Sequence, residues 1–402
     1  MRLLQVAVLL AGVAAAPLAF AQNGPGVTDK EIKIGNTMPY SGPASAYSSQ
    51  GRAEIAYWKM INAKGGINGR MINFISYDDA YSPPKTVEQT RKLVEQDEIL
   101  ADFGPLGTPT NSAIQKYMNQ KKVPQLFVSS GAAKWDDPKN FPYTIPLYPS
   151  YQMEGRVAAK FFMQTKPDAK IAILYQNDDS GKDYVKGFKE GLGAKGVANI
   201  VIEKTYEVSD PTLDSQMVAL KQSGADAFFA MSTPKFGAQA IKKAAELDWR
   251  PLYYVVSVSS SIKGALEPAG LENSKGLITA IATKIPSDPR WNDAPDMREF
   301  LAFMKEWMPG EDPNDGSIGV GYMSAWMTAK VLRECGNNLT RENVMKVVTS
   351  QKDVQIPLAL PGVTLNISPE SYMGYDKLQL VKFDGRSWEP FGPVIAASAP
   401  GN

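Results

Sequence analysis

The sequence predicts an α/β protein made of two doubly wound, parallel-sheet lobes, and three observations lead there. Short apolar runs alternate with segments of helical periodicity from Glu31 to Val256, and alternating strands and helices specify parallel sheets covered on both faces. The alternation pauses across Phe141-Pro142-Tyr143-Thr144-Ile145-Pro146-Leu147-Tyr148-Pro149, whose prolines suit an extended passage between lobes. A chain of 402 residues also exceeds one ordinary core and suits two.

The elements follow in order. Ile32 and Ile34 alternate with polar neighbours in a first strand, Glu31 to Thr37, and Ala53, Ala56, Tyr57, Met60 and Ile61 mark one face of a helix. Lys64-Gly65-Gly66-Ile67-Asn68-Gly69-Arg70 stops it before a second strand, Met71 to Asp78. Ser82 and Pro83 open a helix reaching about Gln96. The apolar run Ile99 to Phe103 is then broken by Gly104, Pro105 and Gly107, and helical spacing resumes at Ala113, Ile114, Tyr117 and Met118. Thr108 is predicted as the N-cap and Pro109 as the first helical residue. Such a strand-to-helix turn favours anions through its free N–H groups and the helix dipole, although alone it is an ordinary turn. A strand from Gln125 runs into Ser129-Ser130-Gly131-Ala132-Ala133.

After the proline-rich passage, the pattern predicts helices over Ser150 to Thr165, Lys182 to Lys195, Leu213 to Ser223 and Phe236 to Leu247. Strands are predicted over Lys170 to Gln176, Ile200 to Thr205, Ala225 to Met231 and Leu252 to Val256. A third block reads as helices, Asp296 to Trp307, Ser317 to Cys335 and Arg341 to Ser350. It ends in a hairpin, Leu378 to Phe383 and Ser387 to Phe391, turning at Asp384-Gly385. Helices without strands form no α/β layer of their own, so they are expected to pack back on the first block. The chain must then cross between lobes more than once.

Residues 1–21 read as a secretory signal peptide: Arg2 for charge, an apolar stretch from Leu3 to Ala16, and Ala19-Phe20-Ala21 as the cleavage site. One of the 43 Lys and Arg is Arg2, so the processed chain balances 42 acidic residues and has no footprint for nucleic acid. Cys335 is the sole cysteine, which precludes an intrachain disulfide. Histidine is absent, removing Ser-His and Cys-His nucleophile pairs and the common zinc sets, and no G-x-S-x-G elbow or P-loop occurs. No cofactor or metal is expected.

Ligands of open α/β sheets sit beyond the carboxyl ends of the strands. Two facing lobes would therefore bring Leu106-Gly107-Thr108, Ser129 to Ala133 and the loop at Tyr47 opposite Asp178-Asp179-Ser180-Gly181, Met231-Ser232-Thr233-Pro234 and Ser257 to Ser261. Small hydroxyl and glycine residues beside an aromatic ring suit a small ligand with a polar end and an apolar body.

These residues also carry a resemblance. Ile32-x-Ile34-Gly35, Ser41-Gly42-Pro43 with Tyr47, Ile61-Asn62-Ala63-Lys64-Gly65-Gly66-Ile67-Asn68-Gly69, Asp78-Asp79, Gly104-Pro105-Leu106-Gly107-Thr108 and Asp384-Gly385 resemble the periplasmic solute-binding proteins of branched-chain amino-acid ABC transporters, the Leu/Ile/Val-binding type. The resemblance spans nearly the whole processed chain. It implies two lobes (22–145 with 281–360, and 146–280 with 361–402) joined by three hinge crossings and closing on a ligand in the cleft. It implies that Thr108 and the loop Ser129, Ser130, Gly131, Ala132 and Ala133 hold a ligand carboxylate, and that Tyr47 packs on the side chain. Ser180, Ser232 or Thr233, and Ser257 are the implied second-lobe contacts, with Tyr322 closing the apolar side.

The chain departs from the family at Ser257, where amino-acid binders place an acid for the ligand ammonium, and at Ala133 and Ser180; the family's common N-terminal disulfide is missing too. Carboxylate capture is retained and amine capture altered, with Asp178 and Asp179 as alternative acids. The expectation is a periplasmic, monomeric binding protein, delivering a hydrophobic amino acid or an apolar or aromatic carboxylate to a membrane ABC permease. A sensory binding protein shares the same cleft, and an exported carboxylate-pair hydrolase is the alternative from another class.

Overall fold

A computed structural model describes residues 23–375 and 377–396; the signal-peptide reading lies outside them. In chain order the elements are β1 (Glu31–Met38), α1 (Ser48–Ala63), β2 (Met71–Asp78), α2 (Pro83–Glu95), β3 (Ala101–Phe103), α3 (Thr108–Gln120), β4 (Gln125–Val128) and β5 (Thr144–Pro146). Then follow α4 (Tyr151–Thr165), β6 (Ile171–Gln176), α5 (Asp179–Val197), β7 (Ile200–Tyr206), α6 (Asp214–Gln222), β8 (Ala227–Met231), α7 (Pro234–Glu246) and β9 (Leu252–Val255). Two helical turns, α8 (Glu267–Ala269) and α9 (Leu271–Ser274), lead to β10 (Ile278–Ile281), α10 (Pro295–Trp307), α11 (Gly316–Glu334) and α12 (Arg341–Val348). The chain ends with β11 (Gln351–Val354), β12 (Leu365–Ile367), β13 (Lys377–Phe383) and β14 (Trp388–Ala396).

The strands form two main sheets, ordered β2-β1-β3-β4-β5 and β14-β13-β10-β9-β8-β6-β7. The first is parallel throughout, and the second is parallel except for the β13–β14 hairpin on its edge. In β8 all five residues are buried, as a central parallel strand covered on both faces requires. The apolar stripes of the helices cover these sheets. Phe188 of α5 stacks on Phe229 of β8 with ring centroids 4.2 Å apart, and Trp58 of α1 meets Phe103 of β3 edge-on at 5.5 Å.

The helices of the third block return to the first lobe. Trp58 and Tyr57 of α1 share a core with Phe300 and Phe303 of α10 and with Tyr322 of α11. At Gly321 a Cβ would lie 2.4 Å from the Gln50 carbonyl, so only glycine lets α11 approach α1 this closely.

The chain passes between lobes three times: after β5, after β10 and before β13. The second passage is bridged to the segment between β11 and β12, with the Lys284 N–H donating to the Leu358 carbonyl at 2.7 Å and the Leu360 N–H to the Ala282 carbonyl at 2.9 Å. β10 is a strand that the periodicity did not reveal, because Ile278-Thr279-Ala280-Ile281 is short and carries no turn signal of its own. Between β12 and β13 the chain leans on the first lobe, where the Tyr372 N–H donates to Asp136 Oδ1 and its phenol to the Pro142 carbonyl.

Candidate ligand-binding site

A cavity of about 190 Å³ lies between the carboxyl ends of the two sheets. On the first-lobe side, Leu106, Gly107 and Thr108 form one wall. The predicted helix start shifts by one residue: Gly107, at φ +104° and ψ 149°, occupies the N-cap and Thr108 is the first residue of α3. That backbone region is open to glycine alone. A side chain there would also strike Tyr81, since a Cβ would come within 2.5 Å of its ring.

Freed from capping, the Thr108 hydroxyl turns sideways to Ser130 Oγ at 2.7 Å. Ser130 Oγ already accepts from Trp135 Nε1 (2.8 Å) and the Ala132 N–H (3.3 Å), so both its lone pairs are used. Ser130 therefore donates to Thr108, which leaves the Thr108 proton uncommitted to Ser130. Burial pushes the Tyr151 phenol, in the same wall, up to about 12, so it stays protonated. Ser129 has the opposite polarity. Its N–H donates to the Pro105 carbonyl (2.9 Å) and its hydroxyl to Gln50 Oε1 (3.0 Å), so it offers the cleft only lone pairs.

The second-lobe wall contains Ser180, Thr233 and Ser257. Ser180 Oγ donates to Asp178 Oδ1 at 2.5 Å, inside the first turn of α5. The Thr233 N–H donates to the Tyr206 hydroxyl (3.0 Å), while Thr233 Oγ1 is buried without a partner at the start of α7. Ser257 is gripped from behind by Glu154 of α4. Its N–H donates to Glu154 Oε1 at 2.7 Å and its hydroxyl to Oε2 at 2.6 Å. Tyr184 and Tyr254 donate to the same carboxylate. Burial of Glu154 outweighs these four donors and pushes its carboxyl up to about 7.

Of the thirteen residues singled out from the sequence as ligand contacts, seven line the cavity: Tyr47, Gly107, Thr108, Ser129, Ser180, Thr233 and Ser257. Six do not. Ser130 and Ser232 are fully buried beneath the wall, Ser232 bonding Ser259 Oγ at 3.4 Å. Ala132 is buried as well. The Gly131 carbonyl takes the Tyr151 N–H at 2.9 Å, and the Ala133 N–H donates across the cleft to Asp183 Oδ2 at 2.7 Å. Tyr322 points into the first-lobe core against Tyr57 and Phe303, with ring centroids 5.4 and 5.0 Å away. Helical rotation decides this: Gly319, Val320 and Met323 share the cleft-facing side of α11, and Tyr322 falls on the α1 side.

The sequence reading missed Tyr81, Tyr148 and Tyr151, which line the cavity beside Tyr47. Asp78-Asp79 was the available signal for Tyr81. The Asp79 carboxylate accepts the Tyr81 N–H at 2.9 Å and holds that residue at φ +57°. Burial pushes all four phenols up, so each stays neutral. Toward the hinge the lining turns apolar, with Ile281, Phe300, Val320, Met323, Leu358 and Leu378. Of the two charged residues in the lining, Lys284 is held by Asp296 at 2.6 Å, and Asp315 accepts the N–H of Ser317 in its own helix turn. Among the described residues no group of His, Cys, Asp and Glu suits a metal ion, and no helix is long and apolar enough to cross a membrane.

The lobes touch across this cleft. The Tyr47 hydroxyl donates to the Val258 carbonyl at 2.9 Å, and Lys134 pairs with Asp179 at 3.1 Å. Two sheets presenting their carboxyl ends to one cavity, bridged by extended crossings, define a two-lobed solute-binding protein. Comparison with known proteins agrees. Residues 31–370 match the family model described as periplasmic binding protein. The Leu/Ile/Val-binding protein homolog 7 of Brucella suis is 24% identical over 343 residues, covering 82% of this chain and 81% of that protein. A branched-chain amino-acid ABC transporter protein from Thermus thermophilus with bound valine superposes with a TM-score of 0.81 at 17% identity, over 92% of this chain and 97% of that one. A fatty acid ABC transporter substrate-binding protein from Thermomonospora curvata superposes with a TM-score of 0.77 at 21% identity, over 94% and 95% of the two chains. The chain belongs to the periplasmic binding protein family. Its relatives are solute-binding proteins and not enzymes, which removes the hydrolase alternative.

Proposed function

We propose that this chain is the solute-binding component of an ABC uptake system, exported with cleavage after Ala21. It would close on a small carboxylate with an apolar body, a hydrophobic amino acid or a related apolar or aromatic acid, and pass it to the membrane permease. The supporting observation is the two-ended cavity: the Thr108 hydroxyl and the first N–H groups of α3 at one end, and an apolar chamber toward the hinge at the other. A carboxylate at the first end is met by neutral donors and the helix dipole, with no cation needed. Tyr47 packs over the body, and Ser180, Thr233 and Ser257 approach from the second lobe.

A melt screen tests the ligand class. Leucine, isoleucine, valine and phenylalanine are compared with their 2-oxo and 2-hydroxy acids and with simple aromatic acids. A ligand at a hundred times its Kd stabilises the fold by about 2.7 kcal/mol, which shifts the melt by several degrees. No shift with any apolar carboxylate would remove this reading.

Closure is tested separately by small-angle scattering. The ligand-bound protein is expected to reproduce the compact form in which Tyr47 reaches Val258, and the free protein to have a larger radius of gyration. Identical radii at saturating ligand would rule out a hinged trap.

A further inference from the structure

We propose that Glu154 fixes the Ser257 hydroxyl as a hydrogen-bond acceptor, so that the ligand's second polar group, the one that meets Ser257, must be a hydrogen-bond donor. The inference rests on the reading of the cleft as a carboxylate site and specifies what else the ligand carries. Ser257 lines the cavity and Glu154 does not: Glu154 is 1% exposed and lies behind the wall on α4.

An ionised carboxylate accepts hydrogen bonds only. At 2.6 Å from Glu154 Oε2, the Ser257 proton must lie on that line, and both lone pairs of Oγ are turned away from it. The Ser257 N–H is committed to Oε1, so the residue has no proton left for the cleft. Tyr148 Oη is 3.5 Å away, too far to fill those lone pairs with a strong bond. The groups facing the Glu154 carboxylate are Ser257, Tyr184 of α5 and Tyr254 of β9, all donors, with no lysine or arginine paired to it among the described residues. The acid absent from position 257 thus acts at one remove, through a hydroxyl.

The Thr108 and Ser257 hydroxyls then have opposite polarity. Thr108 offers a proton to the ligand carboxylate, and Ser257 offers a lone pair. A hydroxyl, a phenol or an ammonium satisfies Ser257, whereas a ketone or an ether faces it lone pair to lone pair and leaves a buried polar group unsatisfied. A neutral hydroxyl fits best, because one lone pair meets its one proton, while an ammonium brings three.

The test is calorimetry at pH 8.5, where Glu154 is ionised, with matched carboxylates: 2-hydroxy-4-methylpentanoate against 4-methyl-2-oxopentanoate, and 4-hydroxybenzoate against 4-methoxybenzoate. In the unaltered protein the donor-bearing member of at least one pair is expected to bind roughly tenfold to a hundredfold tighter than its partner. Glu154→Gln is the decisive variant. The Ser257 N–H keeps the amide oxygen on its own side, so the amide NH₂ replaces Oε2 and donates to Ser257 Oγ. That frees the Ser257 proton toward the cleft, and the preference should invert to the oxo acid or the ether. A purely structural Glu154 would weaken both members of a pair alike. Ser257→Ala should abolish the discrimination while leaving the carboxylate end intact. Pairs that bind with no preference, or a Glu154→Gln protein that keeps the original preference, overturn the proposal. A panel in which no carboxylate binds overturns the reading of the cleft itself, and this inference with it.

Discussion

Thr108→Asp is expected to abolish ligand binding in a folded protein. Residue 108 is the first of α3, where an acid interacts favourably with the helix dipole, and Ser130 can donate to a carboxylate as it does to the threonine. The lobe should therefore hold. The new charge would occupy the place proposed for the ligand carboxylate, in a cavity whose one lining cation, Lys284, is tied to Asp296. Two like charges about 4 Å apart at an effective dielectric constant of about 20 repel by about 4 kcal/mol, roughly a thousandfold in Kd. Calorimetry beside a thermal melt reads both quantities, and Thr108→Ser, which keeps the hydroxyl, should bind nearly normally. Unchanged affinity in the folded aspartate variant would place the ligand's anion elsewhere.

Stability of the unliganded protein is expected to fall as the pH rises from 5 to 8, the reverse of the usual acid sensitivity. Burial raises the carboxyls of Glu154, Glu54, Asp102 and Asp79. A carboxyl raised in the folded state binds more protons folded than unfolded, so its effect is most favourable below the unfolded value and is lost as the pH climbs through the folded one. For Glu154, from 4.5 to about 7, this amounts to about 3 kcal/mol over that window. Carboxyls held low by their partners, such as Asp78 at about 2 and Asp296, contribute the opposite slope only below about pH 4. Urea unfolding at pH 5 and pH 8 should give the lower midpoint at pH 8, and Glu154→Gln should reduce the difference by its own share. A midpoint that is level or rises with pH would show that these acids stay ionised in the fold.

Much of this was legible in the chain because it is local. The β-α turn at Gly104 to Pro109, the hairpin around Asp384-Gly385 and the helical stripes of the third block each follow from turn chemistry or a 3.6-residue period, which neighbouring residues set among themselves. The cleft-facing turns of both lobes could be named for the same reason, since strand ends in parallel sheets all point one way.

The misses share one cause, which is rotation and depth. Tyr322 and Met323 are adjacent, and only the packing of α11 on α1 decides that the first enters the core and the second meets the cleft. Ser129 and Ser130 are adjacent too, yet the first lines the cavity and the second lies under it. Glu154 and Ser257 stand 103 residues apart, and their hydrogen bonds exist because α4 runs behind the carboxyl end of β9. By itself the sequence determined the two-lobed α/β class and the turns that border the cavity. Tertiary structure alone decided which way each hydroxyl in those turns points its proton, because that direction belongs to the buried partner behind it, and such partners come together only when distant segments pack.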